Sequence, residues 1–194
     1  MLSDLCLRQP RRKLGNRLVC HGGFTLIELM VTIAIAAVLM TVAVPSFVEF
    51  QRNARLSDAV SNFMAAANTA RANAMKQGVN TYLVARTGTS WSSGWQVFAD
   101  ANFDKVFNAG TEEQILDHDP LDSSITIKTT AASSLNAGYL LFNGSGYPRL
   151  KTGEYAQATI ELSNGQRKRS IIVDLTGRVS SCKTAASADC PALP

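Results

Sequence analysis

GFTLIELMVTIAIAAVLMTVAV, residues 23–44, is the stretch on which the fold of this chain depends. The 16 residues from Leu29 to Val44 contain only two weakly polar side chains, Thr32 and Thr41. With its apolar neighbours the run covers about 25 positions, enough for a helix that crosses most of a bilayer. Glu28 lies inside this run, where a carboxylate without a partner is costly and therefore indicates a functional role.

The composition agrees with one globular domain joined to this apolar segment. The chain has 194 residues, of which 46% are hydrophobic and 18% charged, and these values exclude a disordered chain, a collagen-like repeat and a polytopic membrane protein. The net charge of +4 comes from the tail 1–23, which has five basic residues and one acid and leaves 14 basic and 14 acidic residues behind it. A basic tail before an apolar run stays in the cytoplasm, so the rest of the chain is expected outside.

Two ordinary interpretations of the apolar run are considered first, and a third follows from the residues around Glu28. It could be a secretory signal peptide, cut weakly at Thr41-Val42-Ala43, or an uncleaved signal anchor. Both interpretations must account for Glu28 inside the apolar run.

The run Gly23-Phe24-Thr25-Leu26-Ile27-Glu28-Leu29 resembles the processing site of type IV prepilins and type II secretion pseudopilins. This resemblance implies that prepilin peptidase cuts after Gly23, removes the leader 1–23 and methylates the new N-terminus on Phe24. The transmembrane segment 24–50 is then kept. It also implies that Glu28 pairs with the N-terminal amine of a neighbouring subunit; the alternative is that Glu28 only snorkels to the interface.

The helix is expected to continue beyond the membrane, from about residue 24 to residue 77. Pro45 should kink it, and we assign Pro45 together with Glu28 to assembly. Segment 51–78 has apolar side chains spaced by three and four residues, which is typical of a helix with one buried face. This stripe is Leu56, Val60, Phe63, Ala67, Ala70 and Ala74. Gly78 is a suitable C-cap.

Residues 79–194 are expected to form a β-rich head. Alternating or apolar runs predict strands, and Asn164-Gly165 predicts a hairpin turn between the last two. The predicted strands are Val79–Ala85, Trp95–Ala99, Ile125–Lys128, Tyr139–Phe142, Ala156–Leu162 and Ile171–Leu175. The fold class is therefore α+β: a long kinked helix packed on an antiparallel, β-sandwich-like head.

One segment of the helix and two of the head resemble the GspH/FimT group of minor pilins and pseudopilins. They are Ala70-Arg71-Ala72-Asn73-Ala74 on the helix, the run from Trp91 to Asn102 with its Trp91-Ser92-Ser93-Gly94-Trp95 start, and Thr176-Gly177-Arg178-Val179. The resemblance implies a pilin-like subunit of a type IV pilus or a type II secretion pseudopilus. Its expected partners are other pilin subunits and prepilin peptidase. It is expected in the inner membrane as a single-pass protein with a periplasmic head.

Cys182 and Cys190 are expected to form a disulfide if the head is exported; two free thiols are the alternative. No catalytic site, cofactor or metal is predicted, because His118 is the only histidine after the leader and no nucleophile motif accompanies it. We interpret His118 as a solvated loop residue, Trp95 as a core residue and Trp91 as a turn-packing residue.

The segment Asp100-Ala101-Asn102-Phe103-Asp104 begins like a calcium loop, with oxygen ligands at alternate positions. The pattern then fails, because Lys105 replaces the turn glycine and Thr111 stands where the bidentate glutamate belongs. Weak cation binding remains open, but the sequence favours a solvated acidic face.

The C-terminal part of the head is basic. Some FimT relatives bind DNA through a Gly-Arg-x-Arg element, and Gly177-Arg178-Val179-Ser180 keeps its first arginine only. Arg167, Lys168 and Arg169 could compensate at the same end of the head, and Lys183 adds to the charge. DNA uptake in natural transformation is thus the alternative function. A solvated basic edge that discourages strand pairing is the simpler interpretation.

Overall fold

A computed structural model of the chain describes residues 24–130, 133–183 and 190. Its helix α1 spans Leu26–Gln77 and contains Pro45. Contacts between residues divide the chain into two compact units, which separate between Val44 and Pro45.

The first unit is the beginning of α1. Thr25 caps the helix: its Oγ1 accepts a hydrogen bond from the backbone N–H of Glu28 at 3.2 Å, which satisfies one of the free donors of the first turn. Among the described residues no single helix passes a length and composition test for crossing a membrane. The segments Leu26–Thr41 and Ala43–Gln77 pass it only when they are taken together.

In the second unit, α1 buries one face against the head. All six residues of the predicted stripe are buried, with exposures from 0% to the 6% of Val60. Ala59 and Ala66 belong to the same face. The helix ends as predicted, because Gly78 adopts a φ of +71° and its N–H donates to Ala74 O at 2.8 Å.

The head consists of two antiparallel sheets. The first has the order β3-β2-β1-β5-β6 and the second the order β4-β7-β8-β9. The strands are β1 Thr81–Thr87, β2 Ser90–Ala99, β3 Gln114–His118, β4 Thr126–Thr129, β5 Tyr139–Phe142, β6 Pro148–Arg149, β7 Ala158–Ser163, β8 Lys168–Val173 and β9 Val179–Lys183. A short 3-10 helix, Ser134–Ala137, precedes β5.

Side chains from α1 and from both sheets form the main core. Phe63 lies at its centre, with its ring 5.3 Å from the rings of Trp91 and Trp95 in edge-to-face contact. A second, smaller core of Tyr82, Phe98 and Leu141 is built from the first sheet. The α+β fold predicted from the sequence is confirmed, and so is the hairpin at Asn164-Gly165, which joins β7 to β8.

Candidate functional site

The N-terminal segment of α1 presents apolar side chains to its surroundings along its whole length. Every large apolar side chain described between Phe24 and Phe50 is exposed, from 41% for Val48 to 81% for Phe24. Glu28 is exposed among them. Such a surface carries a large free-energy cost when it is exposed to water. Gly23 lies outside the described residues.

Arg71 connects α1 to two turns of the head. Its Nε donates to Gly146 O and its Nη2 to Thr176 O, each at 3.0 Å. Gly177 follows with a φ of +81°, and a Cβ there would lie 2.2 Å from Gly146 O. Two of the sequence signatures, around Arg71 and around Gly177, therefore meet at one junction.

The third signature lies in β2 and faces the core. Trp95 is fully buried as predicted, but Trp91 is also a core residue, with 2% exposure and a 2.7 Å hydrogen bond from Nε1 to Leu135 O. The prediction of a turn-packing role for Trp91 is wrong, because β2 begins at Ser90 and includes it. Gly94 has a φ of +90°, and a Cβ at this position would lie 2.2 Å from His118 O.

His118 is the last residue of β3 and not a solvated loop residue. Its ring stacks on Trp95 with a centroid distance of 4.1 Å, and its Nδ1 lies 2.6 Å from Asp119 O. The neighbouring acids are paired: Arg86 forms ion pairs with Asp117 and Asp119.

The acidic segment that begins at Asp100 also differs from its prediction. Asp100 and Glu112 are buried, at 0% and 8% exposure, so the interpretation as a solvated face is wrong for both. With Asp104 they bring one carboxylate oxygen each to within 4.8 Å of one another.

The five basic residues assigned to DNA do not lie together. Arg169 stands opposite Lys183 across the β8–β9 pair, next to the hairpin that carries Arg167. Arg178 adjoins Val179, which pairs with Val173 at the other end of β8, about four residues or roughly 13 Å away. The expectation that Arg178 shares an end of the head with the hairpin is wrong.

Lys168 is engaged by a buried acid. Its Nζ lies 3.2 Å from Glu161 Oε1, and Glu161 is 1% exposed. A lysine that compensates a buried carboxylate is held by it and is less available to phosphate. The DNA-binding interpretation therefore stays a prediction. Two arguments for it are lost, because Arg178 lies away from the hairpin and Lys168 is paired with Glu161.

The predicted disulfide between Cys182 and Cys190 is present, with Cα atoms 5.9 Å apart. Cys182 lies in β9, and Cys190 is 6% exposed.

Residues 59–177 match the family described as type II transport protein GspH. The chain belongs to the GspH family. Residues 20–44 of this GspH-family chain also match the prokaryotic N-terminal methylation motif, which covers Phe24 and Glu28.

The chain is also similar to one curated protein and to two solved structures. The type IV major pilin protein PilA of Myxococcus xanthus is 46% identical over 45 residues, which are 23% of this chain and 20% of that protein. The chain thus matches about a fifth of the length of that relative. The type IV minor pilin FimU of Pseudomonas aeruginosa superposes with a TM-score of 0.52 at 19% identity, over 68% of this chain and 90% of that one. A second crystal form of FimU gives 0.51 at 16% identity, over 69% and 98%. The fold of the GspH-family chain is therefore pilin-like.

Proposed function

We propose that this chain is a non-catalytic filament subunit, a minor pilin or pseudopilin. Prepilin peptidase cuts it after Gly23 and methylates Phe24. The observation that carries this proposal is the methylation motif over residues 20–44, which includes the start of α1, where the large apolar side chains are exposed.

The parts of the chain then have distinct roles. Residues 1–23 are the leader, which remains in the cytoplasm until it is removed. Residues 24–50 anchor the subunit in the inner membrane and later pack against other pilin subunits. Residues 51–78 fix the helix to the head, and residues 79–194 form the periplasmic head that contacts partners in a type IV pilus or a type II secretion pseudopilus.

Glu28 and the new N-terminus set the register of assembly. Cleavage converts the amide of Phe24 into an ammonium group at the start of an apolar segment. Either charge alone is penalised in a medium of low dielectric constant, whereas the two attract each other strongly there. A subunit is therefore most stable where a neighbour supplies the complementary charge.

Processing is tested by mass spectrometry and N-terminal sequencing of the chain recovered from membranes. We expect the mature chain to begin with N-methylated Phe24 and the Gly23→Ala precursor to keep its leader. A mature chain that begins at Val44, or an uncut wild-type chain, would contradict the proposal.

Assembly is tested with Glu28→Val, and Glu49→Val on the same helix is the matched control. Both variants should insert in the membrane, since each replaces a charge with an apolar side chain. Only Glu28→Val should lose incorporation, measured by immunoblotting of sheared pili and of purified pseudopili. Normal incorporation of Glu28→Val would contradict the pairing role. The same immunoblot identifies the filament, since the wild-type chain should be found either in the sheared pili or in the purified pseudopili.

A further inference from the structure

The loop between β2 and β3 gathers three acids from separated positions. Asp100 directly follows β2, Asp104 lies within the loop, and Glu112 lies two residues before β3. One carboxylate oxygen of each lies within 4.8 Å of the others. Like charges at this separation repel, so the arrangement needs a compensating group.

Two of these carboxylates are buried without partners for their oxygens. Asp100 is 0% exposed, and neither of its carboxylate oxygens accepts a hydrogen bond. Glu112 is 8% exposed; its Oε2 accepts from the backbone N–H of Asn108 at 2.9 Å, but its Oε1 has no partner. A buried carboxylate that is neither paired nor hydrogen-bonded strongly destabilises the fold unless another group compensates its charge.

The side chains that could supply positive charge are directed elsewhere. Within the described ranges, no basic nitrogen lies within 4.0 Å of the three carboxylates. Lys105, inside the loop, donates from its Nζ to Lys151 O at 3.0 Å, and Lys151 donates back to Lys105 O at 3.3 Å.

Tyr82 is the other titratable group beside the cluster, and it stays neutral. Its buried hydroxyl has no hydrogen-bond partner, and its pKa is raised well above the usual value, first by burial and then by the negative charge of Asp100. Tyr82 therefore adds no further negative charge to the cluster, and a phenol cannot supply a positive one.

We propose that Asp100, Asp104 and Glu112 bind one Ca²⁺ ion. Carboxylate oxygens are the ligands that hard cations prefer, and an ion 2.3–2.6 Å from each oxygen bridges oxygens up to about 5 Å apart. Mg²⁺ fits less well, because it usually keeps several waters and takes only one or two carboxylates. The ion ties the end of β2 to the approach of β3 and neutralises the buried charge. This inference does not rest on the proposed role in assembly.

The test uses the full chain in detergent, stripped of metal with a chelator. Equilibrium dialysis against radioactive Ca²⁺ should give one ion per chain, with a Kd of about 10⁻⁴–10⁻³ M as in other extracytoplasmic calcium modules. Asp100→Asn and Glu112→Gln should each weaken binding at least tenfold. The matched control Glu113→Gln, one residue away and exposed, should bind as the wild type does.

Thermal unfolding supplies an independent readout. Ca²⁺ should raise the Tm of the wild type and of Glu113→Gln only. Without metal, Asp100→Asn should be at least as stable as the wild type, because it removes an uncompensated buried charge. The proposal is overturned if the wild type binds no ion at about 10 mM Ca²⁺, tenfold above the weakest expected Kd. Unchanged binding in Asp100→Asn and Glu112→Gln, or equal competition by Mg²⁺, also overturns it.

Discussion

Gly94 combines two constraints at the residue scale. Its φ of +90° is unfavourable for any side chain, and a Cβ would overlap the backbone carbonyl of His118 in the neighbouring strand. The carbonyl belongs to a paired strand and cannot move without breaking the β2–β3 ladder. The glycine therefore allows the two strands to approach each other where His118 stacks on Trp95.

Gly94→Ala should destabilise the head by about 3 kcal/mol or more, since backbone strain of 1–3 kcal/mol is added to a clash. Gly153→Ala is the matched control: its φ is +96°, but no atom lies within 4 Å of the added Cβ. Chemical denaturation of the full chain in detergent measures both. Equal losses in the two variants would mean that the clash contributes nothing.

Asp174 holds the turn before β9. Its Oδ1 accepts from the Thr176 hydroxyl and from the N–H groups of Thr176 and Arg178, at 2.8 and 3.0 Å for the two N–H groups. These bonds, led by that of the Thr176 hydroxyl, lower the pKa of the Asp174 carboxyl. The ionised carboxylate therefore stabilises the fold above the unfolded-state pKa of about 3.9, and this contribution is lost as the pH falls through the lower pKa of the folded state.

We expect Asp174→Asn to unfold at a lower denaturant concentration than the wild type at pH 6. The difference should shrink as the pH is lowered through 4 toward 2, because the wild type then loses the same charge. Asp58→Asn, which is exposed on α1, controls for the removal of one negative charge. A difference that stays constant over this pH range would contradict the role of the ionised carboxylate.

The sequence identifies most individual residues of the site but not their surroundings. The apolar stripe, Trp95 and the two cysteines are predicted correctly, because periodicity and residue type determine burial there. The calcium-loop pattern fails at Lys105 and at Thr111, and the carboxylate that lies near Asp100 and Asp104 belongs to Glu112, one position after Thr111. Only the folded loop reveals this, since its path brings Glu112 toward Asp100.

At the scale of elements, the central strands and the outer strand β4 are predicted, whereas the other three outer strands are missed. β5 is predicted with its observed bounds, and β1, β4, β7 and β8 are displaced by one to three residues at their ends. The three missed strands β3, β6 and β9 are all outermost in their sheets. Outer strands depend on one neighbour for their hydrogen bonds and show weak alternation, so tertiary pairing decides them more than local sequence does.

The disulfide secures one of these outer strands, β9, near its end. Replacing Cys182 and Cys190 together by serine should lower the free energy of unfolding by about 2.5 kcal/mol, the loop-closure value for a separation of eight residues. A reducing agent should lower the midpoint of wild-type unfolding to about that of the double variant. The midpoint of the double variant should not change. An unaltered wild-type midpoint after verified reduction would contradict this.

At the scale of the whole molecule, the second half of α1 belongs to the head. Leu56, Val60 and Phe63 are buried, and burial of each side chain contributes about 1.5–3 kcal/mol. The three contributions together are comparable with the entire free energy of unfolding of an ordinary domain. Truncation of the chain before this buried face should therefore leave the head folded, whereas truncation after it should unfold the head.

A chain that begins at Gln51 should remain soluble and monomeric with a cooperative thermal transition. A chain that begins at Gly78 should aggregate or bind hydrophobic dyes, because it uncovers the apolar faces of both sheets. Size-exclusion chromatography and circular dichroism distinguish the two. Cooperative folding of the shorter chain would show that the helix is dispensable.

Thr25 has a consequence for the timing of polymerisation. Its oxygen caps α1, and it would be the second residue after the proposed cut, so trimming leaves the first turn of the helix intact. The proposed cut would turn the neutral peptide link before Phe24 into a cation at the positive pole of the helix, where the helix dipole repels it. The precursor has no such cation and no need for a foreign carboxylate. If the proposed cut occurs, association through this charge pair would be discouraged until the leader has been removed.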